Sequence, residues 1–409
     1  MFRDLIGVHQ QLLLFKATDS GKDMGTNLLC HHNSRLPNPS GGSMDDSSSS
    51  GAKASGDSIT IGTVTTNSGT AAAYGEAEVK GFELAVSEIN AKGGINGKKV
   101  KLESMDDKGD ATEASNAYNK LAGDNNVLAV AGPTISATTA AVAPLADQSK
   151  LVTIAPAATS DSIETGNYLF RTCFKDSYQG EVAARFAAEN LKVKKVAVLY
   201  GTGDPYSSGV GEAFAKAAEK LGLEVVDKES SSSADDTEYS AQLQKIQASG
   251  AELLYAPYYY SVAGPYIIPQ ARSVGFEGYV MGPDGYDGLK LTGDKSQYNK
   301  TYYTTHYSAD DNTNTKVQDF IKSYKSKNNA EPNTFAALGY DTIYMIKQAI
   351  EKAGKNATRE DVRNAVASMT FDGVTGKFTM EKSGSPTKSV IVLEMKDGKP
   401  VYNTTVQPK

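Results

Sequence analysis

Val127-Leu-Ala-Val-Ala-Gly-Pro-Thr-Ile-Ser-Ala-Thr-Thr139 is the stretch on which the reading of this chain turns. Its first five residues form a short apolar run of the kind a buried strand needs. After it, Ala140, Ala141, Val142 and Leu145 recur at helical spacing. Between the two, Gly132-Pro133 ends the strand and hands over to hydroxyl-bearing residues that open the helix. The first N–H groups of such a helix lack intrahelical partners, and the peptide dipoles add up there, so the turn attracts anions. The plainer alternative leaves Ser136 as a simple helix cap. Elements of the same type downstream tip the balance toward a ligand site.

Outward from that stretch the pattern is regular. Ile59-Thr-Ile-Gly62 reads as a strand, and the helix after it places Val79, Phe82, Val86 and Ile89 on one face. Gly93-Gly-Ile-Asn-Gly97 stops that helix. Val100-Lys-Leu102 then starts a strand that ends at Asp106-Asp107, and a helix carries Ala114, Ala117, Tyr118 and Leu121. Leu151-Val-Thr-Ile154 follows the quoted stretch as a further strand. The alternation then begins again, with strands at Val196–Tyr200, Leu223–Val226, Leu253–Tyr255 and Tyr279–Met281 separated by helices. Short apolar strands alternating with helices predict parallel sheets covered on both faces. Two such blocks of about 120 residues each imply two similar lobes rather than one large sheet. After Tyr302 the chain reads as helices carrying Val317 and Phe320, then Ile343 and Ile346, then Val362 and Val366. It closes on strand-like Lys377-Phe-Thr and Val390-Ile-Val-Leu393.

Composition narrows the chemistry. With 409 residues, 39% apolar content and a formal charge of -6, the chain can build two cores and carries no concentration of Lys and Arg that would suit a nucleic acid. No apolar run approaches the roughly 20 residues of a membrane-spanning helix. The cysteines are Cys30 and Cys173, and three of four histidines fall in the first 32 residues, so a metal site or a Cys–His nucleophile in the folded body is not expected. No cofactor is expected either. Residues 1–56 read as a disordered leader or tether, because Pro37–Gly56 is rich in Ser, Gly, Pro and Asp. Within that leader, Leu28-Leu29-Cys30 is similar to a bacterial lipoprotein cleavage site, with Leu where a small residue belongs.

Ligands of open parallel sheets sit beyond the carboxyl ends of the strands. Those ends supply hydroxyls and helix starts in the first block, at Ser136 and Ala157–Thr159. In the second they supply aromatics and one carboxylate, at Tyr206, Tyr258–Tyr260 and Asp284. Paired carboxylates, a histidine triad, a P-loop and a convincing dinucleotide fingerprint are all missing, which argues against an enzyme. The set suits a zwitterion instead. Its carboxylate would rest on N–H groups and hydroxyls at Ser136 and Thr159, its ammonium would meet Asp284, and Tyr74, Tyr206 and Tyr259 would cover the apolar remainder. Gly-Pro-Asp-Gly around Asp284 is also ordinary turn chemistry.

At these residues the sequence resembles the substrate-binding proteins of bacterial branched-chain amino acid ABC transporters, over roughly residues 58–405. The resemblance rests on Tyr74-Gly with Lys80-Gly-Phe-Glu-Leu-Ala-Val86, on Ile89-Asn-Ala-Lys-Gly-Gly-Ile-Asn-Gly97, on Asp106-Asp107 and on Gly132–Thr139. Pro156-Ala-Ala-Thr159, Phe170-Arg-Thr, Gln179-Gly180, Gln270-Ala-Arg-Ser-Val-Gly275, Met281-Gly-Pro-Asp-Gly285 and Gly339-Tyr-Asp341 extend it. It implies an α/β fold, the type I periplasmic binding protein: two Rossmann-like lobes with parallel sheets joined by a three-segment hinge. One lobe would hold 57–177 plus 306–384, the other 178–305 plus 385–409. Carried over by position, Ser136 would bind the ligand carboxylate, Thr159 would touch both ends of the zwitterion, and the carbonyl of Ala157 would accept from the ammonium. Asp284 would pair with the ammonium, Tyr259 would face it, and Tyr74, Tyr206 and Tyr340 would form walls.

The function implied is extracytoplasmic capture of a free amino acid, Leu, Ile or Val, for delivery to ABC permease subunits, by a monomer tethered through its leader. A sensing receptor ectodomain for amino acids, amides or urea is the alternative on the same fold. The sequence departs from the family in two places: the lead segment lacks a clear export signal, and one loop lacks a covalent tie. Where some relatives tie two segments by a disulfide, this chain has Gly109 and Ile135, so rigidity there has to come from packing.

Overall fold

The alternation of apolar strands and amphipathic helices produces two parallel sheets. The computed structural model describes residues 58–163, 167–310 and 314–408, and the expected leader, with Cys30, lies outside them. β1 (Ser58–Thr65), β2 (Lys99–Asp106), β3 (Val127–Ala131), β4 (Val152–Ala155) and β5 (Leu169–Arg171) form the first sheet, in the order β2-β1-β3-β4-β5. Every pairing in it is parallel. The second sheet contains β6 (Lys195–Gly201), β7 (Glu224–Ser231), β8 (Leu253–Tyr255), β9 (Tyr279–Gly282) and β10 (Thr301–Thr305), also parallel. A hairpin of β11 (Thr370–Gly373) and β12 (Gly376–Thr379) stands apart. The antiparallel strands β13 (Val390–Lys396) and β14 (Lys399–Val406) then extend the second sheet to the order β14-β13-β10-β9-β8-β6-β7.

The chain thus passes between the lobes three times: after β5, after β10, and between β12 and β13. On the second passage it returns to the first lobe as the helix Thr334–Ala353, which packs against the helix Ala72–Ala91. The two approach closely because each offers a glycine. A Cβ on Gly81 would lie 2.2 Å from the carbonyl oxygen of Ala336, and one on Gly339 would lie 2.6 Å from that of Glu78. Phe82 and Ile89 of the early helix consequently share one core with Ile343, Ile346 and Phe378 from far later in the sequence. Leu254, Ile267, Tyr303 and Met395 centre the core of the second lobe.

β10 was not expected. Its residues, Thr-Tyr-Tyr-Thr-Thr, contain no aliphatic run, yet all five are buried between β9 and β13. Thr and Tyr have high strand propensity, and a central position in the sheet sets the rest. Among the described residues no helix is long and apolar enough to cross a membrane.

Candidate functional site

The carboxyl ends of both parallel sheets face one cleft, as the strand directions require. On the first side, β3 is followed at once by Gly132, whose φ of 120° only glycine adopts readily. A side chain there would also collide with the carbonyl oxygen of Val64 at 1.9 Å. This turn delivers Thr134, Ile135 and Ser136 to the cleft. Ile135 is the N-cap of the helix Ser136–Ser149, in extended conformation and without a side-chain cap. Ser136 is therefore the first helical residue rather than the cap, and its buried hydroxyl accepts a hydrogen bond from the N–H of Ser160 at 3.2 Å.

The floor beneath this turn is held by a buried polar chain. Thr134 Oγ1 donates to Glu78 Oε2 at 2.6 Å and accepts from the N–H of Thr66 at 3.1 Å. Thr66 Oγ1 donates to Asp107 Oδ1 at 2.6 Å, and the N–H of Gly109 joins the same oxygen at 2.9 Å. A Cβ on Gly109 would lie 3.8 Å from Ile135 Cδ1, so the two segments touch without a covalent tie. Burial pushes the Glu78 carboxyl up to about 8, against the pull of the Thr134 hydroxyl and with help from the charge of Asp107.

Facing it, β9 ends in Gly282-Pro283 and presents Asp284, which is 2% exposed. Its carboxylate is held by three donors from three elements. Tyr206 Oη donates to Oδ1 at 2.9 Å, Gln179 Nε2 to Oδ1 at 3.3 Å, and His306 Nε2 reaches Oδ2 at 3.2 Å. Burial pushes the Tyr206 hydroxyl well above its ordinary range, as it does those of Tyr74 and Tyr259, so all three keep their protons and can donate. Burial also holds His306 down at about 4, against the opposing pull of Asp284. The contact is thus a hydrogen bond from a neutral imidazole rather than an ion pair. Asp176 is buried beside Thr159 and Gln179, and desolvation, reinforced by the charge of Asp284, drives its carboxyl well up.

Between the two sides lies a nearly closed cavity of about 20 Å³ lined by Tyr74, Thr134, Ile135, Ser136, Ala157, Tyr206, Tyr259, Asp284, Gly285 and Phe335. Tyr74 donates from Oη to the carbonyl of Gly285 at 2.5 Å and accepts from the N–H of Tyr260 at 3.0 Å, linking one lobe to the other across the cavity edge. Tyr206 and Tyr259 stack with centroids 5.3 Å apart, and Phe335 stacks on Tyr74 at 3.9 Å. A wider groove, about 810 Å³, is edged by the exposed side chains of Glu181, Glu212, Lys216 and Lys220. Its charged, open rim lacks the convergent buried polar groups of the cleft, and we assign it no ligand.

Of the residues expected from the sequence, Ser136, Ala157, Asp284, Tyr259, Tyr74 and Tyr206 meet around this cavity. Thr159 is fully buried just behind it. Its carbonyl accepts from Arg171 Nη1 at 2.8 Å and from the N–H of Asp176 at 2.9 Å. Tyr340 is a correction: its hydroxyl donates to Glu88 Oε2 at 2.7 Å and its ring rests on Phe320 and Tyr344, away from the cleft. The wall residue from that helix is Phe335, more than a turn earlier. Gln179 and His306 were also missed as site residues. The signal for His306 was its place directly after β10 and its standing as the single histidine after residue 32.

Two hinged α/β lobes that close polar groups and aromatic rings over a small cavity define a substrate-binding protein. The sequence matches the family described as periplasmic binding protein over residues 58–400, and the chain belongs to that family. It is 31% identical over 352 residues to the Leu/Ile/Val-binding protein homolog 3 of Brucella melitensis, covering 83% of this chain and 92% of that one. Among solved structures, the branched-chain amino acid transporter substrate-binding protein LivJ of Streptococcus pneumoniae, in complex with isoleucine, is 32% identical with a TM-score of 0.79. That match covers 86% of this chain and 100% of LivJ. The leucine-binding protein LivK of Thermotoga maritima also gives a TM-score of 0.79, at 30% identity over 86% of this chain and 99% of LivK.

Proposed function

We propose that this protein captures a free branched-chain amino acid outside the cytoplasm by cleft closure and delivers it to the permease of an ABC importer. The observation that carries this reading is that Ser136 on one lobe and Asp284 on the other line the same small cavity, with aromatic rings between them. Ser136, through its hydroxyl and N–H, takes the ligand carboxylate. The carbonyl of Ala157 and the carboxylate of Asp284 take the ammonium, Thr159 backs them from behind the cavity, and Tyr74, Tyr206, Tyr259 and Phe335 enclose the aliphatic side chain. The lobes comprise residues 57–177 with 306–384 and residues 178–305 with 385–409, and the leader tethers the monomer. The isoleucine complex of LivJ and the Leu/Ile/Val-binding relatives support this ligand class.

Closure follows from differential affinity, since a ligand bridges both lobes only when the cleft is shut. As water leaves, the attraction between ammonium and Asp284 strengthens. Hydrogen bonds to charged groups contribute about 1.5–3 kcal/mol each, and a buried aliphatic side chain about as much. Three or four such bonds plus the side chain sum to about 6–15 kcal/mol, a range that reaches well beyond the roughly 8 kcal/mol of micromolar affinity and leaves its upper part to offset association and ordering costs.

A thermal-shift screen of the common amino acids tests the reading. Leu, Ile or Val at a hundredfold excess over Kd stabilises by about 2.7 kcal/mol, which raises the midpoint by several degrees. A shift confined to amides, urea or aromatic acids would overturn the ligand class.

A further inference from the structure

We propose that His306 is a positioning residue of the binding site: its Nε2–H fixes the orientation of the Asp284 carboxylate, and it does so from the hinge. The inference rests on the amino acid reading above and goes beyond it. His306 directly follows β10, where the chain leaves the second sheet for the first lobe. Its ring stacks on Phe174 of another passage between the lobes, with centroids 3.6 Å apart and planes at 26°. Its N–H donates to Thr334 Oγ1 at 3.3 Å, at the start of the helix that returns to the first lobe. The imidazole is fully buried and its Nδ1 has no hydrogen-bond partner among the described residues, so the contact with Asp284 is the ring's one hydrogen bond.

The geometry assigns that bond a purpose. A carboxylate has about four acceptor positions. Tyr206 and Gln179 both use Oδ1, and His306 uses one position on Oδ2. What remains is a single position on Oδ2, whose direction the imidazole sets. The charged groups facing this pair are Lys388, from the third passage, against the imidazole, and Asp176 and Asp287 against the carboxylate. Lys388 Nζ donates to Thr375 Oγ1 at 2.9 Å. Burial, which holds the ring's pKa down at about 4, keeps the imidazole neutral at neutral pH, so it adds a donor without adding a charge that would compete with the ligand's ammonium.

Calorimetric titration with L-leucine of the wild-type chain, His306→Gln and His306→Phe tests this. Gln returns an N–H at the reach of Nε2, while Phe keeps a ring on Phe174 and removes the donor. His306→Gln is expected to stay within about threefold of wild type and His306→Phe to bind about 10- to 100-fold more weakly, the size of one hydrogen bond to a charged group. Binding by His306→Phe within threefold of wild type, or equal losses in both variants, would overturn the proposal. A second reading, on wild-type protein with 15N-labelled histidine, holds even if His306→Phe does not fold. The signals missing from His306→Gln should report a neutral ring protonated on Nε2 and should move when L-leucine is added. A ring protonated on Nδ1, or signals that leucine leaves in place, would overturn it. Wild-type protein that gives no heat with L-leucine removes the amino acid reading itself, and this inference with it.

Discussion

The two sides of the cleft do different work with different materials. The first lobe offers Ser136, Ala157 and the N–H groups of a helix start, held by a chain of buried hydroxyls and acids through Thr134, Glu78, Thr66 and Asp107. The second offers a full charge, Asp284, held by three side chains from three separate elements. Backbone dipoles are fixed by the fold and cannot be misplaced singly. A carboxylate on a short side chain has to be aimed, and the aiming groups lie partly at the hinge. On the amino acid reading proposed above, the dipolar half is expected to be robust to single changes and the charged half to be both the stronger contact and the more fragile one.

The largest effect expected is on the charged side. Asp284→Asn keeps the shape and removes the charge, and calorimetry should show L-leucine binding weakened about 100-fold or more. The apo melting midpoint should not fall, because a buried carboxylate without a cationic partner is itself costly. A variant with wild-type affinity would remove Asp284 from the site and break the contrast. On the dipolar side, Ser136→Ala leaves the helix N–H groups in place, so the loss should be nearer tenfold. A loss in Ser136→Ala equal to that in Asp284→Asn would show that the hydroxyl, not the backbone, carries the first lobe.

The smallest effect on affinity, within about twofold, is expected for Glu78→Gln, which retains an acceptor for Thr134. Its effect is on stability and depends on pH. The folded protein holds the Glu78 proton up to about 8, whereas the unfolded chain releases it near 4.5. Between those values the native state binds the extra proton, so stability falls as pH rises, by at most about 1.4 kcal/mol per unit from this group. Melting curves of wild type and Glu78→Gln should therefore diverge from pH 5 to pH 8, with the variant gaining. Parallel curves would mean that the acid is ionised in the fold.

Legibility in the sequence followed physical strength of signal. β1, β3, β6 and β8 are short apolar runs with few other uses, and the alternation with helices gave the two lobes and the edge on which the site lies. Gly132 and Asp284 were readable because they sit where strands end. β10 was not readable, since Thr-Tyr-Tyr-Thr-Thr becomes a strand only by being clasped between β9 and β13, and His306 was lost with it. The helix Thr334–Ala353 was legible as a helix. Which of its aromatics faces the cleft was not, because that depends on how Gly81 and Gly339 let it settle against its neighbour. Tyr340 therefore stood where Phe335 belongs.

That glycine seam has a consequence for how the chain comes to be folded. Phe82 and Ile89 wait for Ile343 and Ile346, so a growing polypeptide that has not yet reached Thr334 leaves its earliest helix bare on one side. Contacts this distant in sequence are slow to form and gain nothing until both ends exist. The first lobe is accordingly complete only once β12 has been made, and the second only once β13 and β14 follow, so the protein commits to its structure only when nearly all of it has been synthesised.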